Sequence, residues 1–199
     1  MSDKDLVLQR CKNIGGWMYD EELLWLNKTA NECSLVVEIG VWQGKSTTAL
    51  ALGLPQNGRL FCIDSWQGSD DELHAAHSIM QTTEGQKSVF LNAMDNLFEF
   101  IVMGKVVPIC MKSIEACHLF QDTFVDDIDF VFIDGSHDYL NVKQDIATWF
   151  PMTHSNSIIA GHDYGSFEGV TKAVNEEFGG KVKRGPGSIW YVDRSELPS

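Results

Sequence analysis

Short apolar runs alternate with amphipathic stretches along most of this chain. Five apolar runs have the length of strands and occupy residues 35–39, 58–64, 106–110, 128–134 and 157–160. Nearly continuous apolar runs of this kind are typical of strands buried on both faces of a parallel sheet. Between them, apolar residues recur at helical spacing over residues 45–52, 86–102, 113–120, 139–149 and 170–178. The alternation predicts an α/β fold, a mostly parallel sheet with helices on both faces.

Two further segments, residues 181–184 and 188–192, are joined by a glycine-proline-glycine turn and are predicted to close the sheet, which brings the expected number of strands to seven. In the third apolar run, Pro108 lacks the N–H that a central strand needs, so that strand is predicted to lie at an edge.

The first predicted strand begins near residue 35, and this position suggests the domain organisation. Residues 1–33 are predicted to be a helical cap with a break at Gly15-Gly16, and residues 34–199 to be one domain that folds as a single unit with the cap. Residues 65–104 form a long connection that contains His74 and His77, three positions apart. A metal pair there is conceivable, but we favour exposed histidines or a lid over the substrate.

Charge and cysteine usage narrow the class of protein. Twenty-eight acidic residues against fifteen Lys and Arg give a net charge of −13, which repels phosphate backbones and argues against a nucleic-acid partner. No apolar run has the roughly 18 residues that a membrane span needs. The five cysteines are odd in number and never spaced as C-x-x-C, so we expect reduced thiols in a cytoplasmic protein.

Residues 36–50 contain the most informative stretch, in which an apolar run leads through Glu38 to Gly40 and Gly44 and then to Lys45-Ser46. A phosphate-binding P-loop requires four residues between its glycine and Gly-Lys-Ser/Thr, whereas only three stand here. The G-x-G-x-x-G fingerprint of dinucleotide sites is also missing. The loop can still bring backbone N–H groups to a ligand crevice, or it can be an ordinary tight turn.

Acidic residues follow several of the predicted strands. Glu38, Asp64, Asp134 and the pair His162-Asp163 each stand at a strand's carboxyl end, where open α/β sheets bind their ligands. Asp64 lies about twenty residues beyond the glycine loop, a spacing at which an acid commonly accepts hydrogen bonds from a ribose. These positions predict one ligand site at that edge of the sheet.

Three segments in this order, residues 37–47, 132–139 and 159–164, resemble the class I S-adenosylmethionine (SAM)-dependent methyltransferases. More narrowly, they are similar to the bacterial small-molecule branch related to macrocin-type sugar O-methyltransferases and the cephalosporin-biosynthesis methyltransferase. The resemblance implies a Rossmann-like methyltransferase sandwich with an antiparallel closing strand. It also implies SAM as cofactor, bound by Glu38, Gly40, Gly44, Ser46, Asp64, Ser65, Lys112, Ser113 and Asp134.

Metal-dependent relatives place a cation at the ends of the fourth and fifth strands, positions that correspond here to Asp134, His162 and Asp163. The relatives usually have two acids, or Asp-Asn, where this chain has His162-Asp163. Imidazole suits Mn, Fe, Co or Zn better than Mg, so either the metal differs or His162 is not a ligand. Mg and Mn both remain open as the cofactor.

His137 and Asp134 are the predicted catalytic residues. His137 corresponds by resemblance to the proton-accepting lysine of catechol-type relatives, and imidazole titrates near neutrality, as a general base should. A capping or packing role at the start of the next helix is the alternative for His137.

The predicted function is methyl transfer from SAM to a hydroxyl of a small molecule, a sugar being one candidate, with assistance from a divalent metal. The alternatives are a nucleotide-binding phosphotransferase and a SAM-binding protein without turnover. We expect a small-molecule substrate and neither nucleic acid nor membrane as partner; a homo-oligomer is left open.

Overall fold

The computed structural model describes residues 2–68, 79–121, 123–124 and 126–197. His74 and His77, the two histidines of the long connection, lie outside the described residues.

The described strands form one seven-stranded sheet with the order β3-β2-β1-β4-β5-β7-β6. Neighbours among β1 to β5 are parallel, and β7 is antiparallel to both β5 and β6. The strands are β1 Leu35–Ile39, β2 Arg59–Asp64, β3 Val106–Cys110, β4 Ile128–Ile133, β5 Thr153–Gly161, β6 Lys183–Arg184 and β7 Trp190–Asp193. The predicted fold class is confirmed, as is the edge position of β3.

The largest differences from the predicted boundaries are in three strands, β5, β6 and β7. β5 begins at Thr153 instead of residue 157, because Thr153 pairs with Ile128 before the register shifts and Ile158 pairs with Phe130. The closing strands are shorter or displaced: β6 has two residues, and β7 begins only at Trp190. Ile189 belongs instead to the turn between them, where Gly185 N–H donates to its carbonyl.

Helices cover both faces of the sheet. They are α1 Asp3–Cys11, α2 Asp20–Ala30, α3 Lys45–Gly53, α4 Thr83–Val102, α5 Ser113–Phe120, α6 Tyr139–Trp149 and α7 Glu168–Phe178. Side chains of β4 alternate between two cores: Phe130 and Phe132 pack in the core with α1 to α4, whereas Val131 and Ile133 pack in the core with α5 to α7. This alternation explains why the apolar runs in the sequence are continuous.

The N-terminal helices belong to the first of these cores. Val7 and Leu26 are buried in the same cluster as Leu50 of α3. α2 and α3 approach so closely that a Cβ on Gly53 would lie 2.0 Å from the carbonyl oxygen of Asn27. Among the described helices, none is long and apolar enough to cross a lipid bilayer.

Candidate active site

A cavity of about 1180 Å³ opens at the carboxyl ends of β1, β2, β4 and β5. Its lining comes from the Gly15-Gly16 break, the glycine loop, the turn before α5 and the first turns of α6. The topology explains this position, because the strand order reverses between β1 and β4: β2 and β3 lie on one side and β5 on the other, which leaves a crevice between β1 and β4.

Glu38 is fully buried at the end of β1. Among the described residues, no group makes a hydrogen bond of normal geometry with either carboxylate oxygen. Burial raises the pKa of Glu38 to about 8, although the nearby hydroxyls of Ser46 and Thr47 oppose this shift. A buried carboxyl without a partner is costly, so the position suits a cationic or hydrogen-bond-donating ligand.

The two glycines of the loop have different environments. At Gly40 (φ +89°), a Cβ would lie 2.1 Å from the carbonyl oxygen of Asp134, so this glycine lets β1 and β4 approach. Gly44 (φ +86°) caps α3 and faces Leu97 of α4, where a Cβ would lie 3.0 Å from Leu97 Cγ. Gly40 lines the cavity, whereas Gly44 is behind the loop.

Asp64 joins the end of β2 to the glycine loop. Its Oδ2 accepts the backbone N–H groups of Val41 (2.9 Å) and Trp42 (3.0 Å), and its Oδ1 accepts that of Trp66 (2.7 Å). Burial raises the pKa of Asp64, and these N–H groups oppose the rise. Asp64 also lines the cavity, so its carboxylate is within reach of a ligand that donates a hydrogen bond.

Ser65, Lys112 and Ser113 line the cavity on the β2 and β3 side. The Ser113 hydroxyl accepts a hydrogen bond from Trp149 Nε1 (2.8 Å). Sequence reasoning missed Asp145, which is buried, lines the same end, and has a pKa raised by burial to about 6. The sequence did contain a signal, because an acid at position 145 falls on the inward-facing stripe of α6.

The ends of β4 and β5 bring together the three predicted metal ligands. One ligand atom from each of Asp134, His162 and Asp163 lies within 4.8 Å of the others. His162 Nδ1 is 3.6 Å from Asp134 Oδ1 and 3.4 Å from Asp163 Oδ2. Donor atoms about 2.1 Å from a tetrahedral cation would be roughly 3.4 Å apart, so the spacing fits a shared ion.

The side chains in this cluster shift one another's pKa values. Burial disfavours the charged form of His162, but hydrogen bonds to Asp163 and Glu22 outweigh it and raise the pKa to about 11. Burial raises the pKa of Asp134 to about 7. Burial acts in the same direction on Asp163, yet hydrogen bonds from His137 and His162 lower its pKa well below the ordinary value. A protonated His162 therefore offsets part of the negative charge of this cluster, an effect that a bound cation would also supply.

His137 reaches the same cluster from the loop after β4. Its Nε2 lies 3.0 Å from Asp163 Oδ2, and its ring stacks on Phe167 with centroids 4.0 Å apart. The imidazole lines the cavity with a quarter of its side chain exposed. The geometry fits an oriented acid-base group.

Glu22 of α2 was not predicted by the sequence analysis. It is completely buried, and its Oε1 lies 2.9 Å from His162 Nε2. A hollow of about 390 Å³ lies next to this contact, and Trp17, Tyr19, Tyr164 and Arg184 help to line it; we call it the side hollow. No local motif marks these N-terminal residues.

A family model described as a methyltransferase domain matches residues 37–164, more than half of the chain. The chain belongs to this methyltransferase family. The match runs from β1 to the residue after Asp163, so it includes every strand end that lines the cavity. A comparison with curated proteins finds no match.

Solved structures show the same fold. An O-methyltransferase from Bacillus cereus in complex with SAH has a TM-score of 0.60 at 18% identity, with 97% of this chain and 91% of that chain covered. TomG, an O-methyltransferase from Streptomyces achromogenes in complex with SAM, has a TM-score of 0.63 at 13% identity and coverages of 97% and 90%. The O-methyltransferase NovP gives 0.63 at 17% identity, with 88% and 80% covered.

Family membership and fold together confirm the resemblance to class I methyltransferases that the sequence motifs suggested.

Proposed function

We propose that this methyltransferase transfers the methyl group of SAM to a hydroxyl of a small molecule, with assistance from a divalent cation. The observation that carries the proposal is that one cavity is lined both by Gly40 and Asp64, next to the buried Glu38, and by the cluster of Asp134, His162 and Asp163. The end of the cavity at β1 and β2 suits the cofactor, and the end at β4 and β5 suits an activated oxygen.

The residues of the first end match the polar groups of SAM. A cofactor ammonium group beside Glu38 would favour the charged form of this carboxyl, and the Asp64 carboxylate, which lines the cavity, would accept a hydrogen bond from a ribose hydroxyl. Asp145 offers a carboxyl acceptor for an adenine amino group. When bound, SAM supplies a methyl group on a positively charged sulfur. The complexes of the Bacillus cereus protein with SAH and of TomG with SAM support this cofactor.

Asp134, His162 and Asp163 would hold the divalent cation. One imidazole and two carboxylates form a donor set that suits Mn²⁺ and similar ions better than Mg²⁺. When bound, such a cation lowers the pKa of a hydroxyl that it contacts. The Nδ1 distances of 3.4 and 3.6 Å support a shared ion.

The chain's own groups would position the acceptor and take its proton. His137, oriented by Asp163 and stacked on Phe167, is the proposed general base. The side hollow is the proposed acceptor position. Trp17 and Tyr19 are 63% and 71% exposed there, and aromatic faces of this kind pack against the rings of sugars and other small molecules.

We also propose a cytoplasmic location, which the five unpaired cysteines support.

The test is methyl transfer from methyl-labelled SAM to a panel of small hydroxylated compounds, sugars included, with and without EDTA. We expect labelled product with Mn²⁺ and loss of transfer in EDTA, while SAM binding persists because the cation faces the acceptor. Full activity in excess EDTA would contradict the metal. SAM binding without product across the whole panel would favour a binding protein without turnover.

Two variants distinguish the proposed roles of His137, a general base, and Asp163, a metal ligand. Asp163→Asn should imitate EDTA, because it removes one charged ligand. His137→Ala should leave metal content unchanged and lower the rate by about 10²–10⁴, the range for a lost general base. Loss of bound metal in His137→Ala would make His137 a ligand instead of the base.

A further inference from the structure

Glu22 is a completely buried acid on the N-terminal helix α2, far in sequence from the strand ends. Its Oε1 accepts the backbone N–H of Ser188 at 2.9 Å, and its Oε2 accepts that of Tyr19 at 2.7 Å. Both oxygens of this carboxyl group therefore act as hydrogen-bond acceptors.

This fixes the hydrogen on His162. Because Glu22 Oε1 accepts, His162 Nε2 carries a hydrogen and donates it over 2.9 Å, so Nδ1 is the nitrogen that would lose its hydrogen to a cation. The other nitrogen, Nδ1, is then the one that faces Asp134 and Asp163. A histidine that ligates a metal characteristically donates its second ring N–H to a carboxylate in this way.

The same carboxylate also supports Asp163. Glu22 Oε1 accepts the backbone N–H of Ser188 at 2.9 Å, and the Ser188 hydroxyl accepts the backbone N–H of Asp163 at 3.1 Å. Asp163 has a left-handed backbone (φ +66°), which is uncommon for a residue other than glycine and needs such support. Glu22 thus contacts one proposed ligand directly and another through Ser188.

Two further neighbours of Glu22, Tyr19 and Gly187, restrict the position of its carboxylate. Its Oε2 accepts the backbone N–H of Tyr19 at 2.7 Å, which holds the carboxylate at the start of α2. A Cβ on Gly187 (φ +58°) would lie 2.1 Å from Glu22 Oε1, so a glycine is required opposite the carboxylate.

We propose that Glu22 is the positioning residue of the metal centre, holding His162 with Nδ1 directed to the ion shared with Asp134 and Asp163. The N-terminal helix is then part of the catalytic apparatus as well as a cover for the sheet. This inference rests on the metal in the proposed function.

The test is calorimetric titration of Mn²⁺ into the full-length chain after removal of metal with EDTA and dialysis. We expect Glu22→Ala to raise the Kd for Mn²⁺ by about 10–100-fold, the usual effect of losing a carboxylate behind a ligating histidine. Glu22→Gln keeps an oxygen that can accept from Nε2, so its Kd should lie between those of wild type and Glu22→Ala. The matched control is Glu21→Ala, an exposed acid on the same helix, which should bind Mn²⁺ like wild type.

SAM affinity, measured in EDTA, shows whether each variant is folded, because Glu22 lies away from the cofactor end. If Glu22→Ala does not fold, Glu22→Gln and Gly187→Ala, which crowds Oε1, provide the comparison. A folded Glu22 variant that binds Mn²⁺ with the wild-type Kd would overturn the inference and leave the proposed function intact. A wild-type chain that binds no Mn²⁺ would instead overturn the metal in the proposed function, and this inference with it.

Discussion

At the scale of single residues, the site depends on acids whose charge is opposed or supported by their immediate neighbours. Glu38 is fully buried, and among the described residues no group makes a hydrogen bond of normal geometry with its oxygens, whereas the half-buried Asp64 accepts the backbone N–H groups of Val41, Trp42 and Trp66. Replacing each acid by its neutral amide should therefore have different effects on stability and on SAM binding.

The first prediction concerns Glu38→Gln. A raised pKa means that Glu38 stabilises the fold in its protonated form, and that this stability is lost as the pH rises from about 4.5 through about 8. A glutamine at this position stays neutral, so the variant does not lose this stability as the pH rises. The free energy of unfolding of Glu38→Gln minus that of wild type should therefore grow between pH 5 and pH 8, by up to about 1.4 kcal/mol per pH unit.

Urea denaturation without cofactor, at several pH values, checks this prediction. Glu21→Gln, an exposed acid on α2, is the control and should show no such trend. A difference between Glu38→Gln and wild type that does not change with pH would mean that Glu38 is ionised throughout.

The second prediction concerns Asp64→Asn. An amide has one acceptor oxygen, so its NH₂ group must face backbone N–H donors of either the glycine loop or Trp66. We expect SAM binding to weaken by about 1.5–3 kcal/mol, the range for hydrogen bonds to a charged group.

Asp129→Asn is a matched control for this change, because Asp129 Oδ2 accepts the N–H groups of Ser34 and Leu35 at the opposite end of β1. It should cost stability in the same way but leave calorimetric SAM affinity unchanged. Equal SAM affinity in Asp64→Asn and Asp129→Asn would remove Asp64 from the cofactor site.

At the scale of elements, the strands were predictable because each lies between two helical layers and so reads as a continuous apolar run. The boundaries of the closing strands β6 and β7 were harder to predict, because they are set by the turn that contains Ile189 and not by burial. The sequence placed Asp134, His162 and Asp163 together because parallel strands end at one edge, and their proposed role as metal ligands came from the family resemblance. Glu22 could not be found, since its contact with His162 depends on how α2 packs over the sheet.

The third prediction tests the junction of β1 and β4. Gly40→Ala places a Cβ 2.1 Å from the carbonyl oxygen of Asp134 on a backbone with φ +89°, so it should lower the free energy of unfolding by at least about 2 kcal/mol. Gly135→Ala is the control across the same junction, because its nearest contact would be an ordinary 3.5 Å. The denaturation midpoints of Gly40→Ala and Gly135→Ala measure the stability of the two variants. Equal stability of the two variants would show that β1 and β4 can separate without cost.

At the scale of the whole molecule, the N-terminal helices and the sheet share one core. The fourth prediction follows: amide hydrogens of α2 should exchange with the same free energy of opening as those of β4, because Leu23 and Leu26 are buried with Phe130. Hydrogen exchange followed by mass spectrometry at increasing denaturant checks it. Opening of α2 at much lower free energy would make the cap a separate unit.

The central claim is that the cavity at the strand ends binds SAM. Calorimetric titration in EDTA, with SAM and with ATP as the competing ligand, tests it most directly. We expect one molecule of SAM to bind per chain, Glu38→Gln to weaken this binding, and ATP not to bind. Binding of ATP in the absence of SAM binding would contradict it and would favour a nucleotide-dependent phosphotransferase.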